Sequence, residues 1–159
     1  MINEFCYLLR VRYSECDAQK VVFNGRYSDY VDVAAGEFTR VIWGDYNDIL
    51  SNGIDNQVVS YSIDWKAPLH FDEVVAITVK VSKIGNSSYS LQVDFYNYDS
   101  KELTASAEIT YVMVSVTKHT KMNIPKNMRE QLEKGALGIN VDHAGLKSHS
   151  GTRSGFLLG

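Results

Sequence analysis

Residues 11–30 read VRYSECDAQKVVFNGRYSDY, and the hydrophobic period of the chain changes within this stretch. From Phe5 onward, apolar and polar residues alternate, which is the pattern of a half-buried strand. From Asn24 to Ile42, apolar residues instead recur at spacings of three and four, the pattern of one helix face. The sequence therefore predicts a strand, a loop that contains Asp17, and one long helix.

The alternation of apolar and polar residues returns after Gly53. It predicts four more strands, within residues 58–65, 75–81, 89–95 and 105–113. The short connections among the last three favour antiparallel pairing, because parallel neighbours need a crossover of a dozen or more residues. We expect an α+β fold in which a five-stranded, mainly antiparallel sheet wraps around one long central helix. A short helical piece near Ile49 and a last helix from about Pro125 to Gly135 complete the prediction.

The length of 159 residues favours one domain, which we place at residues 1–137. With 45% hydrophobic and 22% charged residues, the composition is that of a globular protein. Beyond Gly138 the apolar pattern stops and Gly and Ser become frequent. Residues 138–159 are therefore predicted to be a flexible tail, part of it a cloning remnant.

Composition and motifs also exclude several classes of function. A net charge of -3 without basic runs argues against nucleic acid, and no apolar stretch is long enough to span a membrane. Cys6 and Cys16 are expected to be unpaired, which fits a cytoplasmic location, and no metal-ligand spacing is present. The sequence has no nucleophile elbow, phosphate loop or dinucleotide fingerprint, so we expect neither metal nor cofactor.

Asp17 is the residue whose position predicts a catalytic role. It follows the first strand and precedes the helix start, so a carboxylate and a helix N-terminus are brought together. Free N–H groups of a first helical turn can polarise a carbonyl while a carboxylate activates water or attacks. The alternative is that Asp17 only caps a turn.

The Asp17 region resembles the opening motif of the 4-hydroxybenzoyl-CoA thioesterase family of hotdog-fold acyl-CoA thioesterases. The resemblance continues in Ile63–Leu69 and in Lys83–Ser88, and it covers roughly residues 5 to 118. One departure is Lys20, which stands where the family usually has glycine, so the loop is expected to take a different path. The positions that match the opening motif are Asp17, Val21, Val22, Asn24 and Tyr27.

The resemblance implies a hotdog fold and hydrolysis of an acyl-CoA thioester to the free acid and CoA. It implies that Asp17 is the general base or the nucleophile, and that the N–H of Asn24 at the helix start holds the thioester oxygen. Lys20 contacts a CoA phosphate or is a solvated loop lysine. Tyr27 lines an acyl channel or belongs to the core. Glu37, thirteen residues after Asn24, is too far from the helix start to share its oxyanion hole.

The hairpin at Lys83–Ser88 is the candidate for the nucleotide end of CoA. Lys83, Asn86, Ser87 and Ser88 offer an ammonium, amides and hydroxyls, although the same residues also make a good turn.

Several alternatives stay open. The thiol carrier is CoA or an acyl carrier protein, and the same fold also serves non-catalytic acyl-CoA-binding regulatory modules. A hotdog hydratase would need an Asp/His pair, and no histidine lies near Asp17 in sequence. We expect a homodimer or homotetramer, because the second face of the last strand carries Val112, Val114 and Val116. The family resemblance also implies a dimer with sheets joined edge to edge and sites between subunits.

Overall fold

The computed structural model describes residues 3–146, and these contain three α-helices and seven strands. The helices are α1 (Arg26–Trp43), α2 (Tyr46–Ser51) and α3 (Lys126–Lys134). The strands are β1 (Phe5–Arg10), β2 (Ile54–Trp65), β3 (Val74–Ile84), β4 (Ser88–Asn97), β5 (Leu103–Ser115), β6 (Thr120–Lys121) and β7 (Asn140–Asp142). The predicted order of strand, long helix and four strands is confirmed.

Helix α1 forms because its apolar residues fall on one face, which packs into the concave side of the sheet. The helix ends at Gly44, whose φ of +85° is unfavourable for other residues. The buried residues of α1 are Tyr27, Tyr30, Val31, Ala34, Ala35, Phe38 and Ile42. The predicted core of helix against sheet is confirmed.

The sheet has the order β2-β5-β4-β3-β1-β7, and the short β6 pairs with the end of β5. Neighbouring strands pair antiparallel except β1 and β7, which are parallel. The prediction of five strands is therefore wrong in its count, and the sheet is mixed. The two strands that were missed span only two and three residues, too short to show a period.

Strand β7 lies in the segment that was predicted to be a tail. The Tyr7 hydroxyl lies 3.0 Å from His143 Nδ1, and the His143 N–H donates to the Leu8 carbonyl at 2.9 Å. Ala144 is buried as well. The prediction of a flexible tail is therefore wrong for residues 140–144, whereas residues 147–159 lie outside the described part of the chain. The domain boundary at residue 137 stays a prediction.

Candidate active site

The loop after β1 holds Asp17 in a tight turn. The Asp17 N–H donates to the Val21 carbonyl at 2.9 Å, and the Lys20 N–H returns to the Asp17 carbonyl at 2.9 Å. The Gln19 N–H donates to Asp17 Oδ1 at 2.8 Å, which is the hydrogen bond of an Asx-turn. Within residues 3–146 the second carboxylate oxygen, Oδ2, has no partner. Asp17 is thus half-buried, fixed by one oxygen and open at the other.

Lys20 adopts the backbone conformation that a glycine would favour. Its φ is +65°, in the left-handed region, and its side chain is exposed. A lysine pays a steric cost there that a glycine would not. The turn therefore closes with lysine in the conformation that suits glycine, and the loop does not need a different path to accommodate Lys20.

Helix α1 begins later than the sequence pattern indicated. Its first residue is Arg26 and its N-cap is Gly25, so Asn24 lies before the helix instead of opening it. The N–H groups of Arg26 and Tyr27 already donate to the carbonyls of Phe23 and Asn24, at 2.9 and 3.3 Å. The N–H groups of Asn24 and Gly25 have no acceptor within residues 3–146. These two are the donors that a substrate oxygen could use.

Gly25 cannot carry a side chain without a shift of its neighbour. A Cβ atom at this position would lie 2.8 Å from Cε1 of the Phe23 ring. The absence of a side chain therefore lets Phe23 cover the backbone immediately before the helix.

Three short segments meet beside this loop and form a small ribbon. Val22 forms an isolated antiparallel β-bridge with Cys16, and its backbone N–H also donates to the Leu69 carbonyl at 2.8 Å. Val21 forms a second antiparallel β-bridge, with His70. Residues directly opposite in antiparallel pairs project to the same side. Val22 and Leu69 are buried in the core. The alternate row, which runs Asp17–Val21–His70, therefore lies on the outer side of the ribbon.

His70 is the member of this row that sequence analysis missed. Its backbone N–H donates to Glu73 Oε2 at 2.7 Å, and its Nδ1 lies 3.5 Å from Glu73 Oε1. The side chains of His70 and Glu73 are 53% and 33% exposed. The spacing of three residues between histidine and glutamate was the available signal. No histidine lies near Asp17 in the sequence, but the fold brings His70 beside the Asp17 loop.

Tyr27 belongs to the core. Its ring lies 5.3 Å from that of Phe95 and 5.9 Å from that of Trp65, both in edge-to-face geometry. Burial, and to a lesser degree the Glu73 carboxylate, raises the pKa of Tyr27 to about 12. Since Trp65 is half exposed at the end of β2, it is this tryptophan that extends the aromatic cluster to the surface.

Glu15 is a buried carboxylate that sequence analysis also missed. It accepts the Arg12 N–H at 2.7 Å and pairs with the Arg12 guanidinium at 3.0 Å. Its carbonyl accepts the Phe23 N–H at 2.9 Å, so Glu15 connects the two ends of the Asp17 loop. Burial and, to a lesser degree, Glu15 raise the pKa of Tyr30. Glu37 lies half-buried farther along α1, with Arg40 at 3.5 Å.

The hairpin Lys83–Ser88 lies at the far end of the sheet from Asp17. The start of β3 neighbours β1 and the Asp17 loop, and β3 then runs for about 33 Å at roughly 3.3 Å per residue. Arg129 donates to the carbonyls of Gly85 and Asn86 at 2.6 and 3.2 Å, and Ile124 and Met113 donate to those of Asn86 and Ser87. Within one chain, the structure does not bring the hairpin and Asp17 together.

Asp17 is not among the described lining residues of the two cavities that lie between helix α1 and the sheet. One, of about 390 Å³, lies between α1 and the edge strand β2, with Tyr46, Asn56 and Tyr111 in its wall. The other, of about 380 Å³, lies between α1 and β1, with Glu15 and Tyr30 in its wall. In a single chain, Asp17 therefore does not line either of these open clefts.

Within residues 3–146, no helix has the length and apolar character needed to cross a membrane. The same residues contain no cluster of three or more His, Cys, Asp or Glu side chains that could hold a metal.

Comparison with known proteins defines the class. The family model of the thioesterase-like superfamily matches residues 11–132, and the chain belongs to this superfamily. It is a thioester hydrolase with the hotdog fold. The narrower assignment to the 4-hydroxybenzoyl-CoA thioesterases stays a resemblance, because the match is to the superfamily as a whole.

Individual relatives are distant. A putative esterase of Aquifex aeolicus is 26% identical over 81% of this chain and 98% of its own length. A putative acyl-CoA thioesterase of Bacillus subtilis, YneP, is 24% identical over 67% of this chain and 76% of its own length. The crystal structure of a 1,4-dihydroxy-2-naphthoyl-CoA thioesterase from Synechocystis superposes with a TM-score of 0.74 at 19% identity, covering 80% of this chain and 94% of that one. The structural likeness shows the shared fold.

Proposed function

We propose that this protein hydrolyses acyl-CoA thioesters to the free acid and CoA, with Asp17 as the catalytic carboxylate. The observation that carries the proposal is the state of the Asp17 loop. One carboxylate oxygen is fixed by the Gln19 N–H, and the other is open in the same loop that leaves the N–H groups of Asn24 and Gly25 without acceptors. An open carboxylate and free amide donors are the two parts that acyl transfer to water requires.

The chemistry assigns one role to each part. As general base, Asp17 takes a proton from a water whose oxygen attacks the thioester carbon; as nucleophile, Asp17 attacks that carbon itself. In both cases the carbonyl oxygen gains negative charge, which the Asn24 N–H stabilises. The carbon–sulfur bond then breaks and the sulfur leaves with the bonding pair. In the nucleophilic route, a water then cleaves the resulting Asp17–acyl anhydride, which releases the free acid and restores the carboxylate. An acyl carrier protein remains the alternative thiol carrier; the name of the Bacillus subtilis relative favours CoA.

The remaining site residues are proposed to bind CoA or to support the acyl group. Lys20 is the exposed residue directly after the Asx-turn, and its ammonium is available for a CoA phosphate. Tyr27, a core residue, supports the acyl group only indirectly, because its ring packs edge-to-face against the half-exposed Trp65. Lys83, Asn86, Ser87 and Ser88 reach CoA only from a second subunit, because they lie at the far end of the sheet.

That second subunit pairs along β2 in the proposed assembly. Strand β2 is twelve residues long, forms an edge of the sheet and leaves Val58 and Val59 53% and 59% exposed. A long apolar edge of this kind is a template for pairing with another strand. Pairing there would place the partner beside Trp65 and close the site on the side that one chain leaves open. The homodimer is thus the proposed unit, with a homotetramer as the alternative.

A lysine at the edge tests the dimer. Val59→Lys should convert the dimer to a monomer in light scattering at micromolar concentration, because an edge lysine opposes strand pairing. Val41→Lys, on the exposed side of α1 with 43% exposure, is the control and should stay dimeric. A wild-type protein that is monomeric at that concentration would contradict the assembly.

Asp17→Asn tests the catalytic role. The amide oxygen can still accept the Gln19 N–H, so the loop should survive, but the base is lost and single-turnover hydrolysis should fall by about 10²–10⁴-fold. Acyl-CoA affinity should change little. Asp45→Asn is a matched control, because Asp45 Oδ1 accepts the Asn47 N–H at 2.7 Å in the same turn geometry without lying in the Asp17 loop.

The outcomes separate the candidates. Equal hydrolysis by Asp17→Asn and Asp45→Asn would reduce Asp17 to a turn cap. If wild type binds acyl-CoA tightly yet hydrolyses no ester in a panel of straight-chain, branched and aryl esters, the site is a regulatory binding module.

A further inference from the structure

We propose that His70, oriented by Glu73, is the general acid that protonates the leaving thiolate. The proposal rests on the proposed function, because it requires the thioester to be bound at Asp17. Its basis is the juxtaposition of Asp17 and the His70–Glu73 pair on one side of the three-segment ribbon.

The ribbon sets the distance between the two groups. Asp17 pairs with Val21, and Val21 pairs with His70, so the two outer residues are separated by two strand spacings. At about 4.8 Å per spacing, their Cα atoms lie roughly 10 Å apart. The side chains of this row project away from the buried Val22 and Leu69. A thioester whose carbonyl carbon is at Asp17 can therefore direct its sulfur toward His70.

Glu73 gives the imidazole a defined orientation. One carboxylate oxygen is held by the His70 backbone N–H at 2.7 Å, and the other lies 3.5 Å from Nδ1. Nδ1 thus faces the carboxylate, and Nε2 has no partner within residues 3–146. A carboxylate beside Nδ1 fixes the orientation of the ring and leaves Nε2 free to donate, as in other histidine–carboxylate pairs.

Glu73 also connects this pair to the helix start. Its carboxylate is close enough to Tyr27, in the first turn of α1, to contribute to the raised pKa of that hydroxyl. Tyr27 in turn contacts Trp65, the exposed end of β2. The loop between β2 and β3 therefore faces the same end of α1 as the Asp17 loop.

The proton balance of the step is simple. As the carbon–sulfur bond breaks, sulfur takes the bonding pair and accepts the Nε2 proton of the His70 imidazolium. The neutral imidazole then recovers a proton from water. An alkyl thiolate is basic and gains from this proton, whereas an aryl thiolate is a weaker base and departs without it.

Leaving-group dependence distinguishes this role from a structural one. We would measure kcat and KM of His70→Gln on an acyl-CoA and on the S-phenyl thioester of the same acyl group. Hydrolysis of the CoA ester should fall about 100-fold, and that of the phenyl ester less than threefold. Glu73→Gln should show the same selectivity with a smaller loss. His119→Gln, an exposed histidine in the turn between β5 and β6, is the matched control and should match wild type on both esters.

Each outcome decides between the two proposals. An equal loss on both esters, or no loss on either, overturns the role of His70 and leaves that of Asp17 intact. Asp17→Asn should slow both esters alike; if it slows neither, the proposed function fails instead. His70→Asn serves as the second variant should His70→Gln not fold, because the backbone N–H bond to Glu73 is independent of the side chain.

Discussion

The Asp17 loop and the Lys83–Ser88 hairpin are both polar turns, yet they use their polar groups in opposite ways. In the hairpin, the Gly85 N–H donates to Ser88, and the carbonyls of Gly85, Asn86 and Ser87 accept bonds from α3, β5 and the segment before α3. In the Asp17 loop, a carboxylate oxygen and the N–H groups that precede α1 have no partner within residues 3–146. The carbonyls of the hairpin are satisfied by its own chain, whereas the free carboxylate oxygen of the Asp17 loop is not.

The difference is informative about which polar turn binds substrate. Asp17 is half-buried and Asn24 and Gly25 are exposed, so their free groups are open to solvent and to a ligand, whereas groups already bonded within the chain are not. Side-chain composition could not distinguish the regions, because Asn, Ser and Lys look equally available in both. Only the hydrogen bonds show that the hairpin carbonyls are occupied from within the chain, which leaves the N–H groups of Asn86 and Ser87, the side chains of the turn and the Lys83 ammonium as the groups available to CoA.

The largest expected effect on stability concerns the support of the hairpin. Arg129→Ala removes two hydrogen bonds from a charged donor to the Gly85 and Asn86 carbonyls, and it should lower the free energy of unfolding by about 1.5–3 kcal/mol in urea denaturation. Activity per folded molecule should not change. Lys126→Ala, exposed on the same helix, is the control. A large loss of kcat in folded Arg129→Ala would show that the hairpin is part of the catalytic geometry and would break the contrast.

A smaller gain is expected in the Asp17 loop. Lys20→Gly removes the steric cost of φ +65° and should raise the free energy of unfolding by about 1 kcal/mol. Gln19→Gly, at a position without positive φ, should instead lower it by about 0.5–1 kcal/mol. Thermal unfolding checks both. An unchanged KM for acyl-CoA in Lys20→Gly would remove Lys20 from the CoA-binding residues.

The smallest effect is expected at Lys83. Lys83→Ala should raise KM for acyl-CoA about two- to fivefold and leave kcat unchanged, because an exposed ion pair with phosphate is worth about 0.2–1 kcal/mol. The rise should shrink at high salt. Lys118→Ala, in the turn after β5, is the control. If both variants match wild type in steady-state assays, the hairpin is only a turn and the contrast between the regions is complete.

The order of the elements, the helix-against-sheet core and the place of Asp17 could be predicted because each depends on neighbours in the sequence. Hydrophobic periods identify strands and α1, and a strand end that leads directly into a helix necessarily brings Asp17 near that helix start. The hotdog fold itself was implied by the resemblance to known thioesterases and not by the periods alone.

What the tertiary structure alone decided depends on contacts between distant segments. His70 joins the Asp17 row because Val21 pairs with it across 49 residues of chain, and no local period encodes such a bridge. Glutamate is a residue type that normally lies at the surface, and Glu15 is buried because the Arg12 side chain pairs with it. β7 is three residues long and stable only because β1 offers it an edge. The sequence by itself therefore determined which residues can do chemistry, while the pairing of distant segments decided which of them meet.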